Sequence, residues 1–355
     1  MRILLPTLYA THGGSTRVLL AAAGALRAEH AVTVRAPIAE ADDPAPSLFP
    51  SRPLVGPWRK LAALPPLGRL LRSETAALRR LRPDLIYVHD EPALYLYGFA
   101  ARGLRPRPRV LWHLHAEPGS GLAGRVRAAL ADACIAISPH VAVPRGLPSR
   151  LIRNPLALPP DLPAVAAPNL AGLAVVGAIS PRKGQDLAVE ALAHLRRAQA
   201  GETAHLTLIG PELDPPFAGR LRARIAALGL DGAVTFAGER PAEEAFANVG
   251  LAIFPSSAET QPLALAEALA RGLPVAASDI PAHGAMLTDA GADPAMLCPR
   301  EPEAFARTIL RVAGRPRDPE LPARIRALYA PDRFERDIRS SVSELVQARG
   351  TSSRL

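Results

Sequence analysis

"LAIFPSSAETQPLALAEALARGLPVAASD", residues Leu251 to Asp279, reads as a complete strand, helix and strand. The opening "LAIF" and the closing "PVAAS" are short apolar runs bounded by turn residues, the pattern of buried strands. Between them, Pro262 suits the first turn of a helix, because its missing N–H would have no partner there. Gly272 suits the position just past the end, so the spacing predicts a helix from Pro262 to Arg271. Glu259 then falls in the loop after the first strand, and Glu267 falls more than a turn inside the helix, on the flank away from Leu265 and Leu269. Arg271 stands four residues on, where an ordinary surface ion pair with Glu267 would form.

The same rhythm runs outward in both directions. Toward the N-terminus lie "LAVVGAI", the helical "GQDLAVEALAHLRRAQA", "HLTLIG", "AGRLRARIAALGL" and "AVTFAG". Further back come "RILLPTL", "STRVLLAAAGALRAEH", "AVTVRAP", "DLIYVHD", "RVLWHLH" and "ACIAIS". Strands alternating with helices predict parallel sheets covered by helices. The stretch "PLALPPDLPAVAAP", Pro155 to Pro168, is too proline-rich for an element interior and reads as a linker. A chain of 355 residues is long for one core, so two α/β domains are expected on either side of it.

The net charge of +9 is spread along the chain without a basic tail or basic-aromatic repeat, which argues against nucleic acid as a partner. Such a field concentrates anionic substrates or an anionic membrane surface equally well. Nearly all the cations are arginine, and Lys60 and Lys183 are the only lysines. Cys134 and Cys298 lie far apart, with no CxxC pair or Cys/His cluster, so neither a structural zinc nor a disulfide scaffold is expected. The N-terminal apolar runs are interrupted by His12, Gly13, Gly14 and Arg17 and fall short of the ~20 residues that span a bilayer. A cytoplasmic, reducing setting is the natural expectation.

Several stretches carry chemistry. In "VVGAISPRKGQDLAVEAL" a strand ends at Gly177, and Arg182, Lys183 and Gly184 precede a helix, so helix-start N–H groups and two cations could converge on phosphate. "LIGPEL" repeats the strand-to-glycine pattern at Gly210. Gly13 and Gly14 sit between the opening strand and its helix, as a loop of close approach would. His113 and His115 alternate in "RVLWHLHAE" and would point to one face of a strand. Asp42-Asp43 and Asp90-Glu91 are adjacent acidic pairs, the second at a strand end, but oxygen-ligated metals need more ligands than either pair supplies. No metal site is expected.

Taken together, these stretches resemble glycosyltransferase family 4, retaining enzymes of the GT-B fold (glycosyl transferases group 1) marked by a Glu-x7-Glu element. Glu259 and Glu267 have that spacing, and likeness is specific from about residue 172 to 283. It continues more weakly through "GGSTRVLL", "PDLIYVHD", "WHLH", "ADACIAIS" and "IRNPL". The resemblance implies an α/β fold of two Rossmann-like parallel α/β domains facing across a cleft. Residues 1–158 would form the acceptor-side domain, joined by a returning helix at about 332–350, and residues 169–331 the nucleotide-sugar domain. Glu259 would lie near the transferred sugar, Glu267 at the ribose, Lys183 at the diphosphate, and His115, rather than its competitor His113, at the transferred sugar. Gly177, Arg182, Gly210, Thr260, Pro262 and Leu263 would complete the donor site, with Gly13 and Gly14 in an acceptor-side loop. A nucleoside-diphosphate sugar would serve as co-substrate without further cofactor.

Two positions depart from the family pattern. Ala178 follows Gly177 where relatives often carry arginine, and Gly284 or Ala285 stands where many carry glutamate. The expected activity is sugar transfer, with retention, to an unidentified sugar or lipid-linked acceptor. Two rivals remain: a hydrolase or epimerase of the same fold, and a catalytically silent nucleotide-sugar-binding scaffold. A nicotinamide dehydrogenase is set aside because the Gly-x-Gly-x-x-Gly fingerprint is absent. The Arg- and Leu-rich "WRKLAALPPLGRLLRSETAALRRLRP" reads either as a basic amphipathic surface for peripheral contact with the inner face of a membrane or as a core-facing helix with solvated cations, broken at Pro65 and Pro66.

Overall fold

The computed structural model describes residues 1–10, 14–46, 64–156, 158, 169–198, 202–241 and 244–352. The chain forms two compact units, Met1–Pro155 with Pro331–Leu355, and Leu156–Ala330. Leu156 is packed in the second unit's core, so the first segment ends three residues before the boundary expected at 158. Most of the proline-rich linker lies outside the described residues.

The first unit holds a seven-stranded sheet of order β3-β2-β1-β4-β5-β6-β7, every pair parallel. Its strands are β1 Arg2–Pro6, β2 Ala31–Ala36, β3 Asp43–Pro44, β4 Leu85–Val88, β5 Arg109–Leu114, β6 Ala133–Ala136 and β7 Ser149–Leu151. The helices are α1 Gly14–Arg27, α2 Leu64–Leu81, α3 Glu91–Arg102 and α4 Gly121–Leu130. Gly14 is thus the first residue of α1 rather than part of a loop, and Gly13 lies outside the described residues. Within the described residues, Pro65 and Pro66 fall in the first turn of α2, where a missing N–H costs nothing. The stretch from Trp58 to Ala63 lies outside the described residues.

The second unit repeats the order in a six-stranded sheet, β10-β9-β8-β11-β12-β13, again all parallel. Its strands are β8 Leu173–Val176, β9 Leu206–Ile209, β10 Val234–Gly238, β11 Leu251–Phe254, β12 Val275–Ser278 and β13 Leu297–Cys298. Its helices are α5 Gln185–Arg197, α6 Pro215–Ala227, α7 Leu263–Ala270, α8 Pro281–Asp289, α9 Pro302–Ala313 and α10 Leu321–Leu328. In both sheets the order of strand addition therefore reverses once, between β1 and β4 and between β8 and β11. Beyond the carboxyl ends of the strands, such a reversal leaves the crevice where open parallel sheets bind ligands.

Each sheet buries both faces, which is why β4, β6, β11 and β12 are apolar without alternation. The last helix, α11 Pro331–Ser352, belongs to the first unit. Its Phe334, Ile338 and Val342, at helical spacing, pack among Ile3, Leu5, Val18 and Leu26. Among the described residues no helix is long and apolar enough to cross a membrane.

Candidate active site

In the second unit the carboxyl ends of β8, β9 and β11 meet closely. A Cβ on Gly210, after β9, would stand 2.3 Å from the carbonyl oxygen of Gly177, after β8. Gly184 has φ +70°, and a Cβ there would stand 2.3 Å from the carbonyl oxygen of Pro255, after β11. No side chain fits at either point, so the glycines are what allow three strand-end loops to touch.

Between Ser180 and Gly184 the chain makes one tight turn, Pro181–Lys183, and then enters α5. Gln185 is wholly buried beneath it, donating to the carbonyl of Ala178 at 2.9 Å and accepting from the Ser180 N–H at 3.3 Å. The turn therefore has a fixed underside, and its two cations project from a braced backbone. The stem of Lys183 runs along Gly177, where a Cβ would lie 3.3 Å from its Cε. Its ammonium donates to Oε1 of Glu259 at 2.7 Å. Arg182 donates to Oε2 of the same carboxylate at 2.8 Å and to the Ala258 carbonyl at 2.9 Å. Ser256, at the end of β11, adds a hydroxyl at 2.9 Å from Oε1. Burial opposes the charge on Glu259, but the two cations and their hydrogen bonds prevail and hold its carboxyl below the usual range.

One carboxylate against two cations leaves a net positive turn beside a helix start at the sheet's reversal point. That arrangement attracts a polyanion, since Lys183 has three N–H donors and Glu259 occupies one. Glu267 lies in α7, half-buried, and Arg271 donates to its carbonyl oxygen at 3.1 Å while its guanidinium stacks 4.8 Å from the centre of the Phe246 ring. Pro262 and Arg271 flank α7 rather than open and close it. The helix ends through Gly272 and Leu273, whose N–H groups reach the carbonyls of Leu269 and Ala268. Thr260, Pro262 and Leu263 form the turn into it. Gly284 lies inside α8 with Leu297 no nearer than 4.0 Å to a Cβ placed there.

The first unit gathers different residues at the ends of β4 and β5. Tyr9, His89, Asp90, Glu91, His113 and His115 line a cavity of about 350 Å³. His113 is fully buried, its Nδ1 at 2.7 Å from the Tyr87 hydroxyl and its Nε2 at 3.1 Å from Oδ1 of Asn154. His115 is partly exposed, with Nε2 at 3.1 Å from Nδ1 of His89. Of the two histidines that shared a predicted face, His113 is thus committed to internal bonds and His115 is the one that reaches accessible space. Burial lowers all three imidazoles, that of His115 to about 3 and those of His89 and His113 well below their usual value.

These rings offer three nitrogens within 4.8 Å of one another. The His113 and His115 rings, however, are nearly parallel, 8° apart with centres 4.5 Å from each other, so their in-plane lone pairs do not aim at a common point. Both His113 nitrogens are also engaged, and a metal would have to break one of those bonds. The acidic pairs have structural partners. Asp90 caps α3 through the Ala93 N–H, Glu91 pairs with Arg127, Asp42 accepts from the Val34 N–H, and Asp43 pairs with Arg35 and Arg80. His89, Ser256 and Gln185 escaped sequence reasoning as site residues. The alternation "YVHD", which sets His89 two residues beyond Tyr87 just as His115 follows His113, was the available signal.

Comparison with known proteins bears on the family and the fold. Residues 171–315 match the family described as Glycosyl transferases group 1, and residues 12–143 match Glycosyltransferase Family 4. HepE of Anabaena, solved with UDP and glucose, superposes with a TM-score of 0.71 at 21% identity, covering 97% of this chain and 99% of that one. Sucrose-phosphate synthase from Thermosynechococcus elongatus gives 0.65 at 19%, over 99% of each chain. An exopolysaccharide phosphotransferase of Streptomyces coelicolor is 33% identical over 136 residues, 38% of this chain, and the match spans only 14% of that relative's length. The chain belongs to the family 4-like glycosyltransferases and has their GT-B fold.

Proposed function

We propose that the protein transfers a sugar from a nucleoside-diphosphate donor to a sugar or lipid-linked acceptor, with retention at the anomeric carbon and without a metal ion. The observation that carries this reading is the braced Arg182–Lys183 turn at the reversal point of the second sheet, held over Gly177 and against Glu259. Cleavage of a sugar–phosphate bond leaves negative charge on the departing diphosphate, and a pre-positioned ammonium with helix-start N–H groups stabilises that charge as it develops. In this reading Lys183 and Arg182 hold the diphosphate between the loops at Gly177 and Gly210. Glu267 takes the ribose hydroxyls, Glu259 and the Thr260–Leu263 turn lie at the transferred sugar, and His115 is assigned to that sugar as well. Gly13 and Gly14 stand on the acceptor side. The complex of HepE with UDP-glucose makes a uridine donor the first to try.

A second reading, donor binding without turnover, is favoured by Ala178, which removes one cation from the end of β8. A thermal-stability screen against nucleotide sugars, followed by product analysis with candidate acceptors, separates them, because a ligand that binds the native state raises its apparent stability. Stabilisation with product supports transfer, stabilisation without product supports the silent binder, and no stabilisation by any nucleotide sugar refutes both. The proposed location is the cytoplasm, with peripheral membrane contact if the acceptor is lipid-linked.

A further inference from the structure

His89 and His115 each directly follow the last residue of a strand, Val88 of β4 and Leu114 of β5, and the two strands are adjacent and parallel. Their rings meet through Nδ1 of His89 and Nε2 of His115 at 3.1 Å. Desolvation of buried His89 and of partly exposed His115 keeps both neutral, so each ring carries one proton, and a hydrogen bond between them requires that one nitrogen donate and the other accept. Two arrangements satisfy this. If His115 donated from Nε2, the proton of His89 would sit on its own Nε2, which is buried and has no partner among the described residues. If His89 donates from Nδ1, that same buried Nε2 carries only an unused lone pair. A buried N–H without an acceptor is the rarer condition in folded proteins, and the desolvation penalty for leaving a donor unpaired is of the order of one to three kcal/mol.

We propose that His89 is a positioning residue that holds His115 in its Nδ1–H tautomer, so that His115 presents a hydrogen-bond donor, and not a base, to the cavity in the first unit. The Nδ1 of His115 has no hydrogen bond among the described residues, and the ring lines that cavity. The other nearby ring takes no part in the exchange, since Oδ1 of Asn154 accepts from Nε2 of His113 and leaves its Nδ1 to accept from the Tyr87 hydroxyl. The matching ligand group is an oxygen acceptor such as a sugar hydroxyl. That last step rests on the function proposed above, whereas the tautomer does not.

Nitrogen NMR of the full chain labelled with ¹⁵N-histidine reads the tautomer directly, with His115→Gln supplying the assignment. The expected spectrum has His115 protonated at Nδ1 and bare at Nε2. Two substitutions of similar size separate positioning from packing. His89→Asn retains a side-chain N–H near the place of Nδ1 and is expected to keep both the tautomer and the turnover. His89→Asp places an acceptor there, and is expected to move the His115 proton to Nε2 and to lower kcat about tenfold, the effect of one hydrogen bond, with nucleotide binding unchanged. An Nε2–H tautomer in the native protein, or an unchanged tautomer in the Asp variant, overturns the proposal. If the tautomers behave as described but no donor yields product, the function is refuted and the role of His89 in setting the tautomer stands.

Discussion

The ammonium of Lys183 lies 2.7 Å from Oε1 of Glu259, although 76 residues separate them in the chain. The bond brings the turn after β8 together with the loop after β11, the two strands on either side of the sheet's reversal. With only 8% of its side chain exposed, Glu259 is a largely buried carboxylate whose charge is tolerated because Lys183 and Arg182 compensate it. In return, the carboxylate fixes the ammonium before any ligand arrives. Order of that kind reduces what binding must later spend on immobilising a long side chain.

The closeness of the strand-end loops makes Gly210, like Gly184, hard to replace. Gly210→Ala would drive a methyl group to 2.3 Å from the Gly177 carbonyl, and backbone on both sides prevents an easy shift. The expected result is a loss of about 2 kcal/mol or more of stability, together with weaker donor binding. Denaturant unfolding beside the native protein measures it, and a stability within 0.5 kcal/mol (about experimental error) would mean that the loops part readily.

Glu267→Ala is expected to weaken the binding of a nucleotide sugar by about 1.5–3 kcal/mol, the value of a charge-assisted hydrogen bond, with little effect on unfolding. Its half-buried position and the backbone bond from Arg271, which the substitution leaves in place, are the reasons to expect a stable variant. Calorimetric titration decides the matter. An unchanged dissociation constant with a lowered Tm would make Glu267 a residue of helix stability alone.

The histidine cluster should make stability depend on pH. Desolvation lowers the pKa values of buried His89 and His113 and of partly exposed His115 in the folded chain, while in the unfolded chain each titrates near its usual 6.5. Below 6.5 the unfolded state therefore binds more protons than the native one, and stability falls as the pH drops from about 6.5 toward the folded value of about 3 for His115. Glu259, also lowered, adds to the loss at the acid end. Thermal melts between pH 7.5 and pH 5 (roughly the range in which histidine alone titrates) should show a steady decrease in Tm. His113→Asn should flatten the slope, and a Tm independent of pH over this range would contradict the buried neutral state.

Turnover is expected to survive exhaustive chelation. The diphosphate charge is assigned to Lys183, Arg182 and the start of α5, and the acidic pairs of the first unit are occupied by Arg127, Arg35, Arg80 and backbone N–H groups. Product formation with and without EDTA is the measurement. Loss of activity that Mg²⁺ or Mn²⁺ restores would transfer the role of Lys183 to a metal.

The alternation of strands and helices was legible because the central strands β4, β6, β11 and β12 are buried on both faces while amphipathic helices such as α5 and α9 bury one, so hydrophobic pattern separates them. Pro262 and Gly272 bracketed α7 to within a residue, since both report on local backbone geometry. The glycines of the strand-end loops were visible as a pattern, but the reason for them was not: Gly184 and Gly210 are required by backbone from distant segments. The same limit hid the partners of charged groups. Nothing local to Asp42-Asp43 reveals that Asp43 meets Arg35 and Arg80, and nothing in "YVHD" reveals that His89 bonds to His115. Such pairs follow from strand order, which a one-dimensional pattern does not contain.

The central claim, that the Lys183 turn holds the diphosphate of a nucleotide sugar, is tested most directly by titrating native protein and Lys183→Ala with the donor that best stabilises the native chain and with the matching free nucleoside. Because the proposed partner of the ammonium is the diphosphate, the account predicts that the nucleoside binds both proteins alike. The intact donor should lose about tenfold or more in affinity for the variant, with Lys183→Arg recovering only part, since a guanidinium differs in reach and donor geometry. Equal losses for nucleoside and nucleotide sugar, or no loss for either, would contradict it.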